Sequence, residues 1–130
     1  MRGKVIRLSR IYRADLRANP TIAFVFGDNM QGIGMGGQAG EMRGEPNAIG
    51  LSTKYRPTMD HQAFFSDDDM HSAARVAIDA AFDAIIAWLE SGRDVVIPAD
   101  GLGTGLSELP QRAPKVLSYI EERISALSEP

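Results

Sequence analysis

Apolar and polar positions along this chain alternate between two periods, and the switching between them lays out the elements. Thr21 to Phe26 is a nearly unbroken apolar run, as expected of a strand covered on both faces. Asp94 to Ile97 is a second run of the same kind, stopped by Pro98. Lys4 to Ser9 and Ala48 to Thr53 are shorter stretches expected to form strands, the first of them at a sheet edge. Helical spacing is clearest between about Met70 and Glu90. There Ala74, Ile78, Ala81, Phe82, Ile85, Trp88 and Leu89 share one face, and Gly92 supplies a stop. Val116, Leu117, Ile120, Ile124 and Leu127 mark a last helix that starts near Pro110 or Pro114. Shorter helices are expected over Ile11 to Ala18, before Asn19-Pro20, and over Gln38 to Arg43, before Gly44. Ala63-Phe64-Phe65 reads as a further short strand, and Ser66 or one of Asp67, Asp68 and Asp69 as the cap of the long helix.

Strands and helices therefore alternate. The expected fold is an α/β, three-layer α/β/α sandwich with a mostly parallel sheet, built as a single domain over residues 1–130. No repeat, linker or low-complexity segment divides it.

Composition changes this picture mainly by exclusion. The 130 residues are 44% hydrophobic and 24% charged, ordinary values for a globular domain. A net charge of −3 argues against a non-specific nucleic-acid binder, so no nucleic-acid partner is expected. The chain has no cysteine, which excludes disulfides, thiolate zinc sites and cysteine nucleophiles. No apolar run reaches the length of a membrane span, and the N-terminus lacks the apolar core of a signal peptide. Cytoplasmic placement without a membrane partner is the expectation, and the oligomeric state stays open.

The candidate chemistry lies in two loops. The strand ending at Phe26 runs into Gly27-Asp28-Asn29 and then the glycine run Gly32 to Gly37, ahead of a short helix. The strand ending at Pro98 runs into Asp100-Gly101-Leu102-Gly103-Thr104-Gly105-Leu106. Glycines let main chain approach a ligand closely and adopt positive φ, and amides at a loop-to-helix junction present donors to an anion. Both loops follow apolar strands and precede helices, so both should meet at one sheet edge and line one cleft.

Asp67 to Asp69 are better explained as helix caps than as metal ligands, and His61 and His71 lack metal spacing. No metal and no cofactor are expected. Arg43 with Glu45 reads most simply as a surface pair, with Arg43 on a ligand phosphate as the alternative. Lys54 and Arg56 follow a strand, where they would either bring positive charge to the cleft mouth or sit in solvent.

These two loops resemble the macrodomain, the ADP-ribose-binding module. Phe26-Gly27-Asp28-Asn29 stands where macrodomains end a strand in Asn-Ala-Ala-Asn, and Gly34 to Ala39 is similar to their glycine-rich loop. Ile97-Pro98-Ala99, then Gly103-Thr104-Gly105-Leu106 and Pro110, is similar to their second loop and following helix. The resemblance covers about a third of the chain. It implies that Asn29 touches a distal ribose, that Gly36, Gly37 and Gln38 approach ribose and diphosphate, and that Gly103 to Leu106 wrap the phosphates. The family's early Gly-Asp-Ile-Thr has no counterpart here, and Ser107 and Glu108 replace an aromatic residue and a glycine.

The expected function is binding of ADP-ribose or a related small nucleotide diphosphate. Gly27, Gly34, Gly36, Gly37, Gln38, Asp100, Gly101, Gly103, Thr104, Gly105 and Leu106 are the candidate ligand contacts. Hydrolysis of an ADP-ribose derivative would add roles for Asn29, orienting the ribose or a water, and for Asp28 as base. Alternatives are a non-catalytic sequestering or interaction module and, more remotely, a nucleoside-monophosphate phosphoribohydrolase. The last is what a loose resemblance implies, that of Gly101-Leu102-Gly103-Thr104 with Glu108 to the Pro-Gly-Gly-x-Gly-Thr-x-x-Glu loop of the lysine-decarboxylase-like group.

Overall fold

The computed structural model describes residues 1–128. Four strands, β1 (Val5–Leu8), β2 (Ala23–Asn29), β3 (Ala48–Lys54) and β4 (Val95–Pro98), form one sheet in the order β1-β4-β2-β3. Every pairing in it is parallel. The helices are α1 (Arg13–Ala18), α2 (Ala39–Met42), α3 (Ala73–Glu90), α4 (Leu109–Arg112) and α5 (Pro114–Leu127). None of them is long and apolar enough to cross a membrane, among the described residues.

Alternation along the central strands sorts the core into two layers. Ala23, Val25, Val95 and Ile97 pack with the apolar stripes of α3 and α5. Phe24, Phe26 and Val96 face the other way and pack with Leu16 of α1 and with Ala39 and Met42 of α2. Helices thus cover both faces, as a parallel sheet requires. Buried Asn47 closes the smaller layer by donating from Nδ2 to the carbonyls of Leu16, Asn19 and Ile22 at 3.1, 3.0 and 2.8 Å.

This topology sets up the site. The connections β1→β2 and β2→β3 pass over the α1/α2 face, whereas β3→β4 returns over the α3/α5 face. The chain leaves β2 toward α2 and leaves β4 toward α4 and α5, on opposite faces. Neighbouring strands whose exits diverge open a crevice at their carboxyl ends. The pairing agrees: β2 and β4 are joined only at Ala23↔Val95 and Phe24↔Val96. Past that point β2 stays with β3 as far as Asn29↔Lys54, and β4 stays with β1 as far as Leu8↔Pro98.

Some expected elements differ. Residues 63–65 form no strand: His61–Ala63 is a 3-10 turn, and Phe64 contributes only an isolated antiparallel bridge to Lys54. The long helix starts at Ala73, because Asp67–His71 is a separate 3-10 turn and Ser72 caps α3 by accepting from the Ala74 amide at 3.1 Å. The final helix is two helices broken at Ala113, where φ −147° and ψ 61° leave the helical region before Pro114. Helix α2 is a single turn, so its dipole contributes little to any ligand site.

Candidate functional site

Gly27, Asp28 and Asn29 are the last residues of β2 and stand beside the crevice. The first glycine loop leaves from here, and the second comes against it. A Cβ placed on Gly27 would lie 3.7 Å from the Gly103 amide nitrogen and 3.6 Å from Thr53 Oγ1. One placed on Gly36 would lie 3.3 Å from Leu106 Cδ1. The two loops converge, and Gly36 is where they touch.

Two hollows flank that contact. The larger, about 350 Å³, is lined by Gly27, Asp28, Asn29, Gly34, Gly36 and Leu106, together with Ile33, Met35, Arg43, Lys54, Pro57, Met59 and Ser107. The smaller, about 270 Å³, is lined by Gly36, Gly37, Gln38, Asp100, Gly101, Gly103, Thr104, Gly105 and Leu106, over Thr53 and Pro98. Gly27, Gly36, Leu106 and Ser107 belong to both. The candidate ligand contacts, together with Asp28 and Asn29, therefore fall on one composite cleft, whereas Arg56 lines neither hollow.

The smaller hollow is walled mostly by main chain. Gly101 and Gly103 hold φ of +87° and +81°, a region where side chains are strained. A Cβ on Gly103 would stand 2.2 Å from Leu109 Cδ1, so the loop packs tightly on the start of α4. Among the described residues, the amides of Gly103, Thr104, Gly105, Leu106 and Ser107 donate to no protein acceptor, nor do those of Gly36, Gly37 and Gln38. Such donors sit at a loop lip only where solvent or a ligand satisfies them. Thr104 Oγ1 closes its own loop by donating to the Asp100 carbonyl at 3.1 Å.

Side chains dominate the larger hollow, and most of their polar atoms are already engaged. Asp28 accepts two parallel bonds from Arg43, from Nη2 to Oδ1 at 2.5 Å and from Nη1 to Oδ2 at 3.1 Å, and a third from the Asn29 amide at 2.8 Å. Arg43 also donates to the carbonyls of Gly34 at 2.7 Å and Ile33 at 3.2 Å, tying the first loop to the strand end. A bidentate guanidinium–carboxylate pair fixes geometry as well as charge. Asn29, 7% exposed, donates from Nδ2 to the Ile33 carbonyl at 2.7 Å and accepts from the Gln31 amide at 3.0 Å. It shapes the loop from inside. Thr53 Oγ1 bonds the Asp28 carbonyl at 3.1 Å and Ser107 Oγ at 2.5 Å, linking the two loops beneath the cleft.

The expected Arg43–Glu45 surface pair does not form. Glu45 belongs to Arg13, at 2.5 Å, and to Arg17, at 3.3 Å. Asp67 and Asp69 cap main chain: Asp67 accepts from the Lys115 amide at 2.9 Å and Asp69 from the Ser66 amide at 2.8 Å. Asp69 also accepts from Tyr55 Oη. Burial first, and then this carboxylate, push the Tyr55 phenol above its ordinary range. His61 and His71 line neither hollow.

Gly50 escaped the sequence reading. A Cβ there would stand 2.5 Å from Asp28 Oδ2, so the carboxylate lies over this glycine of β3. No glycine pattern signals it, because its partner is on a neighbouring strand.

Residues 6–123 match the model of a protein family described as a family of unknown function (DUF7831), and the chain belongs to that family. Comparison with curated proteins and with solved structures finds no match. The macrodomain likeness accordingly rests on the residues quoted for it.

Proposed function

We propose that the cleft binds ADP-ribose or a related nucleotide diphosphate, with the diphosphate in the smaller hollow. The observation that carries this reading is the crevice where β2 and β4 part, with a glycine loop leaving each strand and main-chain amides unpaired on both. Amides without lysines suit an acidic chain, since fixed dipoles hold an anion without a basic patch. The sugar end of the ligand extends past Gly36 into the larger hollow. Exposed Ile33, Met35, Met59 and Leu106 there offer apolar faces to a ring.

Binding is favoured over hydrolysis as the activity. Asp28 would have to give up its bidentate guanidinium to act as a base, so its role in this reading is to hold Arg43 and the first loop in place.

Gly105 offers the direct test. Its φ lies outside the left-handed region, and nothing stands within 4 Å of an added Cβ, so Gly105→Val intrudes on the hollow without clashing with the fold. Calorimetry with ADP-ribose, ADP and NAD is expected to give saturable binding to the native chain. Gly105→Val should abolish it while melting at nearly the native temperature. Silence from every nucleotide at millimolar concentration, or equal binding by the variant, would remove the proposal.

A further inference from the structure

Among the described residues, Lys54 is the charged group lining the larger hollow that has no counter-ion. It ends β3, is 6% exposed and lines the larger hollow. Its Nζ donates to the Thr58 carbonyl at 2.7 Å and stands 3.5 Å from the Leu106 carbonyl, 4.4 Å from the centre of the Phe64 ring. Among the described residues, no carboxylate forms an ion pair with it. The charged neighbours are all spoken for. Asp28 is paired with Arg43 in the same hollow, and Glu108 is bonded to Arg112 at 2.8 Å, while Arg112 stacks on Phe64 at 3.7 Å. Glu108 acts on Lys54 only from a distance, and Arg112 opposes it. A buried ammonium held by carbonyl dipoles, the Met59 sulfur at 3.8 Å and the Phe64 ring, with no carboxylate paired to it, is an expensive arrangement, which an anion in the adjoining space would relieve.

We propose that Lys54 forms a second anion subsite, which receives an acidic group, phosphate or carboxylate, carried by the part of the ligand that enters the larger hollow. This rests on the cleft being the ligand site and adds a requirement to it: the preferred ligand bears an acid beyond its diphosphate. Burial holds the Lys54 pKa below the ordinary lysine value of 10.5, and a bound anion would raise it again.

The test uses the native chain with labelled lysine and amide nuclei, titrated separately with inorganic phosphate and with acetate. A saturable shift of the Lys54 side-chain signal, with a raised pKa, supports the subsite. The anion that produces it identifies the acid as phosphate or carboxylate. Lys54→Met should then weaken that response at the Met59 and Leu106 amides about tenfold, the scale of one charge-assisted hydrogen bond. If phosphate moves the amides of Gly103 to Ser107 while Lys54 stays unmoved by both anions, the subsite is overturned and the diphosphate reading survives. No response at either place overturns both. A purely structural lysine would lower the melting temperature on substitution yet leave the native Lys54 signal indifferent to anions.

Discussion

At the scale of single residues, glycines in the same loop carry different burdens. Gly103 is needed by the fold: φ is +81° and an added methyl meets buried Leu109. Gly105 is free of both constraints. Gly103→Ala is therefore expected to cost about 2 kcal/mol in denaturant unfolding, and Gly105→Ala less than about 0.5 kcal/mol. Equal costs would show that the loop is not packed as described. The sequence displayed these glycines but not their difference, which depends on Leu109 folding back beneath the loop. Arg43 was equally opaque. Its partner Asp28 lies across a glycine loop, whereas Glu45, two positions away, looked closer but faces Arg13 and Arg17.

At the scale of elements, the ionic contact between α1 and the turn after α2 has a definite pH signature. Arg13, and after it Arg17, holds the Glu45 carboxyl below its ordinary value of 4.5. Arg13 also donates to the carbonyls of Gly40 and Arg43, both at 3.1 Å, so the contact anchors α2 as well. A carboxyl whose pKa is lower in the folded state stabilises fully above its unfolded value, and that contribution fades as pH falls through the folded one. Glu45→Gln should thus be less stable than the native chain at neutral pH, with the difference shrinking below about pH 4.5 as the native carboxyl titrates. A difference independent of pH would mean the pair contributes no electrostatic stability. Helix α3, with its clean period, and β2 and β4, with their unbroken apolar runs, were legible in the sequence to within a few residues. The segment 61–71 was not, because 3-10 turns carry no apolar repeat and take their shape from Asp69, Tyr55 and the bridge to Lys54.

At the scale of the whole molecule, the α/β alternation and the meeting of two glycine loops could be argued from the chain, since both loops follow buried strands. The order β1-β4-β2-β3 could not, because nothing local records which strand a crossover helix returns to. That order makes β2 and β4 neighbours and sends their loops to opposite faces, and it turns two separate motifs into one crevice. Lys54 is a case in point: following a strand, it read equally as a charge at the cleft mouth or as a solvated loop residue, yet the fold draws it inside.

Hydrogen exchange with and without ADP-ribose tests the central claim most directly, since it reads the amides themselves. Main-chain N–H groups of residues 36–38 and 103–107, which lack protein acceptors, should exchange rapidly in the free chain. At saturating ADP-ribose they should slow together while α3 and α5 stay unchanged. Exchange in both loops unaltered by the nucleotide, or protection confined to another surface, would contradict the account.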